Sequence, residues 1–240
     1  MNNTEGCLAN LTGKERSQYV RQMFMQIAHS YDLMNRLITA GQDVLWRQEV
    51  IRQAALPSYG RLLDLGTCTG DLAREALRQI PSCFVTAADF TLEMMNVGRS
   101  RTNQDNLFWV AADANCLPFT AATFDAVVSG FLLRNVNDVR LCLAEQYRVL
   151  KPGGRIVVLD TTPPPENLLA PAIRIHLHKV IPFLGRLLTG QAEAYSYLPD
   201  STEGFLQPEQ LAVRMQAVGF RRVIFQRFMF GTVAIHWGQK

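Results

Sequence analysis

Lysine is scarce in this 240-residue chain: four of its 24 basic residues are lysine and 20 are arginine. No function follows from that split. Acidic residues number 21, so the formal charge is only +3, too weak to propose nucleic acid as a partner. Histidines are four, at 29, 176, 178 and 236. The one close pair is spaced i, i+2, which does not share a helix face, so a metal site would need ligands from elsewhere in the fold. The five cysteines are scattered with no C-x-x-C pair. That fits neither a disulfide framework nor a zinc site, and it predicts a reducing, cytoplasmic setting. No run of eighteen apolar residues occurs, so no transmembrane helix is expected. Met1 to Leu11 has neither the basic start nor the apolar stretch of a secretion signal. Apolar material is what the chain has in quantity. Hydrophobic residues make up 48% and charged residues 19%, enough for a sizeable core and against disorder as the main state.

The first sixty residues read as a helical extension. Val20, Met23, Phe24, Ile27 and Tyr31 recur at spacing three and four, one buried face, and a second helical stretch from about Asp43 to Leu56 stops at Pro57. The rhythm then changes to strand, helix, strand, helix. Strands are expected at Arg61 to Leu65, Cys83 to Ala88, Leu107 to Ala111, Phe124 to Ser129 and Arg155 to Leu159. Helices are expected at Asp71 to Ile80, Thr91 to Arg101 with Thr91 as N-cap, and Val139 to Leu150, which Lys151-Pro-Gly-Gly154 stops. Such alternation means parallel βαβ units in a doubly wound α/β sheet, with ligands at the carboxyl ends of the strands. After the fifth strand, Pro163, Pro164 and Pro165 form a stiff connector. Asn167 to Gly190 is largely apolar with basic punctuation, and Pro182 predicts two short helices there rather than one. A loop with Tyr195 and Tyr197 follows, then a helix over Pro208 to Ala217 and two closing strands. One domain is expected over 1–240, with an extension at 1–60 and an insert at 161–206.

The strongest local signal is Asp64-Leu-Gly66-Thr-Cys68-Thr-Gly70-Asp71 between the first strand and its helix. Glycines there let a backbone turn sharply and approach a ligand. Asp89 ends the second strand 19 residues after Gly70, where a carboxylate can accept both hydroxyls of a ribose. A nicotinamide cofactor would want G-x-G-x-x-G, and no glycine stands at 71 to 73. Asp71 at the helix N-terminus would repel a pyrophosphate. S-adenosyl-L-methionine has no phosphate and carries cationic amino and sulfonium groups, which suits acids at 64 and 71 better. A tight turn with no ligand remains open. Asp113, followed by Ala114, ends the third strand and could accept a hydrogen bond from an adenine amino group, or be a surface loop acid.

Several segments carry a resemblance. They are Tyr31-Asp32-Leu-Met34-Asn35 with Gly41-x4-Trp46-Arg47, then Leu63-Asp64-Leu-Gly66 with Thr69-Gly70-Asp71. They continue with Asp89-Phe90, Asp113-Ala114 with Leu117-Pro-Phe119, Leu133-Arg134-Asn135-Val136, Tyr195-Ser-Tyr197-Leu-Pro199 and Gly231-x-Val-Ala-Ile-His236. Together they span nearly the whole chain, which resembles the ubiquinone/menaquinone biosynthesis C-methyltransferase family of class I S-adenosylmethionine-dependent methyltransferases. The resemblance implies a mostly parallel seven-stranded Rossmann-like sheet with its last strand antiparallel. It implies cofactor contacts at Thr69, Asp89, Asp113 and Ala114, to which Asp64, Gly66, Gly70, Asp71, Phe90 and Gly130 are added as neighbours on the same rim. It implies methyl transfer to a ring carbon of a polyprenylated quinol. The chain departs from the family at Cys68, where a glycine is usual; at Leu132, again in place of glycine; at Gly130, often Ser or Ala; and at Asp160, usually Glu.

Methyl transfer to carbon needs an electron-rich ring and a group that supports the developing phenolate. Arg134, a fixed cation just past the fourth strand, is the candidate for that support, against pairing with Asp138 or capping a helix. Asn135 could orient the substrate oxygen or simply form a turn. Tyr31 and Asp32 are candidates for closing the pocket and for the base. Tyr195 and Tyr197 are candidates for lining the ring pocket, against core packing. His176, a candidate on the substrate side, is the histidine of the insert that could serve as base, against an interfacial role. Ala172 to Leu188 holds Arg174, Lys179 and Arg186 without an acid among apolar residues, a pattern that can lie in a membrane interface or form a lid. A peripheral membrane contact at the inner face of the cell membrane is expected, and a homodimer is left open. Two rivals stand beside the quinone reading: a methyltransferase of the same fold acting on another hydrophobic acceptor, and a catalytically silent partner protein.

Overall fold

The computed structural model describes residues 13–189 and 192–240; the opening segment Met1–Leu11 lies outside them. Seven strands form one sheet: β1 (Arg61–Leu65), β2 (Phe84–Asp89), β3 (Leu107–Ala111), β4 (Phe124–Gly130), β5 (Leu150–Thr161), β6 (Arg221–Phe228) and β7 (Val233–Gln239). Their order is β3-β2-β1-β4-β5-β7-β6. The first five are parallel to one another, and β7 runs antiparallel to both β5 and β6. The chain reverses its winding at β1 and β4, so their carboxyl ends open a crevice, the usual ligand position of a doubly wound sheet.

Alternation along each strand sorts the core into two layers. Leu62, Val85, Ala126, Val128 and Val157 face α3 (Gln42–Ala54) and α4 (Asp71–Gln79). Leu63, Leu65, Val127, Ile156 and Val158 face α6 (Val139–Val149) and α10 (Pro208–Val218). α5 (Leu92–Ser100) follows β2. Thr91 stands at its N-cap position without capping it; its hydroxyl turns back to Asp89 instead. The Lys151–Gly154 stop is already extended, so β5 is longer than the apolar run alone suggests.

Three expectations change around the sheet's carboxyl edge. Ahead of α3 the extension holds two helices, α1 (Gly13–Ile27) and α2 (Tyr31–Ile38), so Tyr31 opens a second helix rather than closing the first. The insert is not broken at Pro182. α7 (Ala170–Ile175) runs through a π turn at His176–Val180 into α8 (Ile181–Thr189). The Ile181 N–H reaches back to the His176 carbonyl, five residues away. That wider turn lets the run carry a proline, which has no N–H and crowds the carbonyl four residues before it. The tyrosine segment is a helix, α9 (Ala192–Glu203), not a loop. The Tyr195 ring lies so close on Gly185 of α8 that a Cβ there would sit 2.3 Å from it. Extension and insert share one apolar cluster, in which Val20, Met23, Ile27 and Met34 pack with Leu177, Ile181, Tyr195 and Tyr197. Extension and insert thus roof the edge where a ligand would sit. No helix among the described residues is long and apolar enough to cross a membrane.

Candidate functional site

The glycine loop between β1 and α4 is bent at three points in the left-handed region: Gly66 at φ +69°, Cys68 at φ +51° and Gly70 at φ +84°. A Cβ on Gly66 would sit 2.8 Å from Leu132, so this position has no room for a side chain. Cys68 holds the same kind of backbone with a side chain, a strain of about 1–2 kcal/mol. The loop is tied to the end of β2. Asp89 accepts the Cys68 N–H on Oδ2 and the Thr91 N–H on Oδ1, each at 2.8 Å, and burial holds its carboxyl above the usual range.

Asp64 is fully buried. Its Oδ2 accepts the Thr67 hydroxyl at 2.6 Å and the Ala73 N–H at 3.0 Å, while Oδ1 is buried without a partner. Burial outweighs those two bonds, with Asp89 and Asp71 nearby adding to it, and pushes the Asp64 carboxyl up to about 7. Asp71, the other acid suited to a cationic ligand, is paired with Arg47 at 3.0 Å and with Arg74. Thr69 is likewise engaged: its hydroxyl donates to Asp32 at 2.7 Å, and Asp32 also pairs with Arg101. Asp32 therefore latches α2 onto the loop and onto α5, an arrangement that leaves it poorly placed to be a free base.

Two openings meet at this loop. A narrow cleft of about 110 Å³ is lined by Gly66, Cys68, Asp89, Phe90, Asp113, Ala114, Leu132 and Asn135. Behind it lies a small inner pocket that touches Tyr31, Arg47, Asp64, Gly130 and Phe131. Asp113 is exposed and accepts the Asn115 N–H at 2.8 Å. Tyr31 is half-buried beside the Cys68 thiol, and desolvation there holds its hydroxyl well above its ordinary value.

A larger cavity of about 480 Å³ opens on the other side of Phe131. Its walls are mostly apolar, with Ile38, Trp46, Leu169, Ile173, Leu177 and Phe230 among them. Arg134 and His176 face it as well. Arg134 is buried, donates to Asp160 at 2.6 Å and stands 5.1 Å from the Phe131 ring; its Nε has no partner. Its ion-pair partner is Asp160 rather than Asp138, which caps α6 by accepting the Leu141 N–H at 2.9 Å. Tyr195 and Tyr197, expected in the ring pocket, are not on its wall. Tyr195 packs between α8 and α9, and Tyr197 donates to Asn135 Oδ1 at 3.1 Å. Asn135 donates in turn to the Phe131 carbonyl at 3.0 Å. Tyr197 and Asn135 form the support behind Phe131.

Phe131 went unnoticed in the sequence, yet it lines the cleft, the inner pocket and the cavity alike. It adopts φ +58°, a conformation bulky residues rarely hold unless their surroundings enforce it. Its one sequence signal was its place between the two departures at Gly130 and Leu132.

Comparison with known proteins agrees with this geometry. The sequence profile of the ubiE/COQ5 methyltransferase family matches residues 12–240. The ubiquinone/menaquinone biosynthesis C-methyltransferase UbiE of Desulfotalea psychrophila is 46% identical, covering 92% of this chain and 90% of its own. The demethylmenaquinone methyltransferase of Thermus thermophilus is 42% identical over 91% of this chain and all of its own. Among solved structures, phosphoethanolamine N-methyltransferase 2 of Haemonchus contortus in complex with S-adenosyl-L-methionine superposes with a TM-score of 0.60. It is 15% identical and covers 81% of this chain and 52% of that one; the likeness is one of fold.

Proposed function

This chain belongs to the ubiE/COQ5 methyltransferase family, and we propose that it methylates a ring carbon of demethylmenaquinol to give menaquinol. It is an S-adenosyl-L-methionine-dependent C-methyltransferase of quinone biosynthesis. The observation that carries the choice of acceptor is the apolar cavity of about 480 Å³ that shares the Phe131 wall with the cofactor cleft and has one buried cation, Arg134, on its surface. A ring with a long apolar tail suits such walls, and a ring oxygen gaining negative charge suits the cation.

The residues present fit S-adenosyl-L-methionine. Asp64 keeps a buried carboxylate oxygen without a partner, the Gly66 backbone has no room for a Cβ, and Asp89 is preset by two N–H donors. When bound, the cofactor supplies an electrophilic methyl group on a sulfonium. Asp64, Gly66, Thr69, Gly70 and Gly130 would hold its amino-acid end, with Asp71 fixing the loop through Arg47 and Arg74. Asp89 and Phe90 would hold its ribose, and Asp113 with Ala114 its adenine. Arg134, steadied by Asp160, stabilises charge on the ring oxygen. Asn135 holds Phe131 in place, and Tyr31 with Asp32 closes the loop from above.

The acceptor's tail needs a route to lipid. The α7–α8 run presents Arg174, Ile175, Lys179, Phe183, Arg186 and Leu187 on its exposed face, beside the cavity that its Ile173 and Leu177 line. Apolar and cationic side chains on one face favour an anionic membrane surface, and we assign peripheral contact to this run. The test of function is direct. Pure protein with labelled S-adenosyl-L-methionine and short-chain demethylmenaquinol should give labelled menaquinol. Absence of product with both naphthoquinol and benzoquinol acceptors would overturn the assignment.

A further inference from the structure

We propose that His176 is the general base of the reaction, taking the proton of the ring hydroxyl beside the carbon that is methylated. The inference rests on the quinol reading of the large cavity. Among the described residues that line that cavity there is no Asp, Glu, Lys, Tyr or Cys. Its polar lining is amide, hydroxyl, the indole of Trp46, the guanidinium of Arg134 and one imidazole. An arginine does not give up its proton, so His176 is the lining group that can accept one. The other acids and phenols of the site are placed or engaged elsewhere. Asp160 holds Arg134, Asp32 holds Thr69 and Arg101, and Tyr31 lies in the inner pocket.

The local structure supports the role. His176 Nε2 is buried without a partner, whereas the other histidine of the insert, His178, points outward and meets Glu203 at 3.0 Å. A buried ring nitrogen left unpaired is unfavourable unless a ligand completes it. His176 also opens the π turn, a distortion found mostly at functional positions of helices. The charges around it are few. Arg134, neutralised by Asp160, borders the same cavity. Arg174 and Lys179 stand on the exposed face of its own run, and Glu203 of α9 is taken by His178.

The ring O–H bond breaks, its proton goes to Nε2, and the electron pair stays on oxygen and spreads into the ring. The ring carbon forms a bond to the donor methyl, the carbon–sulfur bond breaks, and its electron pair leaves with sulfur. The carbon then carries both hydrogen and methyl. Loss of that hydrogen as a proton to water restores the aromatic ring, and the oxygen recovers its proton from His176. One proton is released per turnover.

The test compares wild type, His176→Gln, His176→Ala and, as control, His178→Gln with short-chain demethylmenaquinol. Both His176 variants should lose about 100-fold in kcat with KM little changed. The acid limb of the pH–rate profile should vanish in them, and added imidazole should restore His176→Ala. His178→Gln should behave as wild type. A readout without methyl donor accompanies this: in protein labelled with ¹⁵N-histidine, 1,4-naphthalenediol should shift the His176 ring nitrogens. Retained kcat, a loss with the acid limb still present, or no imidazole rescue would overturn the proposal. A wild type inactive on every quinol would overturn the acceptor reading instead, and the nuclear magnetic resonance arm would then decide by itself whether His176 receives a ring hydroxyl.

Discussion

Replacing Asp64 by Asn should uncouple cofactor binding from protons. In the free protein the Asp64 carboxyl sits at about 7, because burial outweighs the Thr67 and Ala73 hydrogen bonds. A cationic ligand beside its unpartnered oxygen favours the carboxylate, so binding must expel whatever proton is there. At pH 7 the group is half protonated and binding should release about 0.5 proton, rising to about 0.9 at pH 6 and falling to about 0.1 at pH 8. Apparent affinity should weaken by the factor 1 + 10^(pKa − pH), about tenfold from pH 8 to pH 6. The sign for stability follows the same pair of states. A carboxyl raised above its unfolded value near 4 contributes stability that is present below that value and lost as pH rises through about 7. Ligand binding should therefore stabilise the protein most on the alkaline side. Calorimetry in two buffers of different ionisation heat measures the released protons, and subtracting the Asp64→Asn titration removes those of the ligand's own amino group. Asn keeps an acceptor for Thr67 and Ala73, so its thermal midpoint serves as the folding control. Equal proton release by wild type and variant between pH 6 and 7, or affinity that rises on acidification, would refute the reasoning.

Further outcomes are expected from the same geometry. Asp160→Ala should cost about 3–5 kcal/mol by stranding the buried Arg134. The double change Arg134→Met with Asp160→Leu should cost less than the sum of the single changes, as denaturant titration can show; additive costs would mean that the pair is not a unit. Cys68→Gly should relieve positive-φ strain of about 1 kcal/mol, partly offset by the added freedom of glycine. Its cofactor affinity should stay in the micromolar range of the parent, about 8 kcal/mol, by calorimetry; a binding site that appears only in the variant would mean that the natural loop is blocked. His236 donates from Nε2 to the Pro208 carbonyl at 2.9 Å, and burial lowers its imidazole to about 4. Its stabilising effect is present above the unfolded value near 6.5 and lost as pH falls toward 4. The slope of unfolding free energy there should reach about 1.4 kcal/mol per pH unit and flatten in His236→Phe.

The sheet and its cofactor edge could be read from the sequence because their signals are local. Five apolar runs, most of them separated by a turn and a helix, leave little choice of topology, and Asp64, Asp89 and Asp113 stand at or just past the carboxyl ends of β1, β2 and β3. The misreadings concern residues whose surroundings arrive from far along the chain. Arg134 and Asp160 are neighbours only because β4 pairs with β5, a register that no local rule supplies. Tyr195 and Tyr197 became core because α9 docks on α8, on α1 and on the turn that carries Asn135, where tertiary packing overrides the loop signal of Pro199. Pro182 was read as a break because a π turn leaves no mark in composition. Phe131 was overlooked because a positive φ on an aromatic residue is a property of context rather than of residue type.

The cluster shared by α1, α2, α8 and α9 also bears on how the protein comes off the ribosome. Val20 and Met34 are made early, but the Leu177 and Tyr195 that cover them follow roughly 150 residues later. At about 5–20 residues per second this is a wait of about 8–30 seconds, during which the sheet can assemble while the first two helices keep their apolar faces uncovered. Contacts so distant in sequence close slowly. The nascent chain therefore has to be protected from aggregation at its amino-terminal end until the insert has emerged, and translation pauses after β5 would lengthen that exposure.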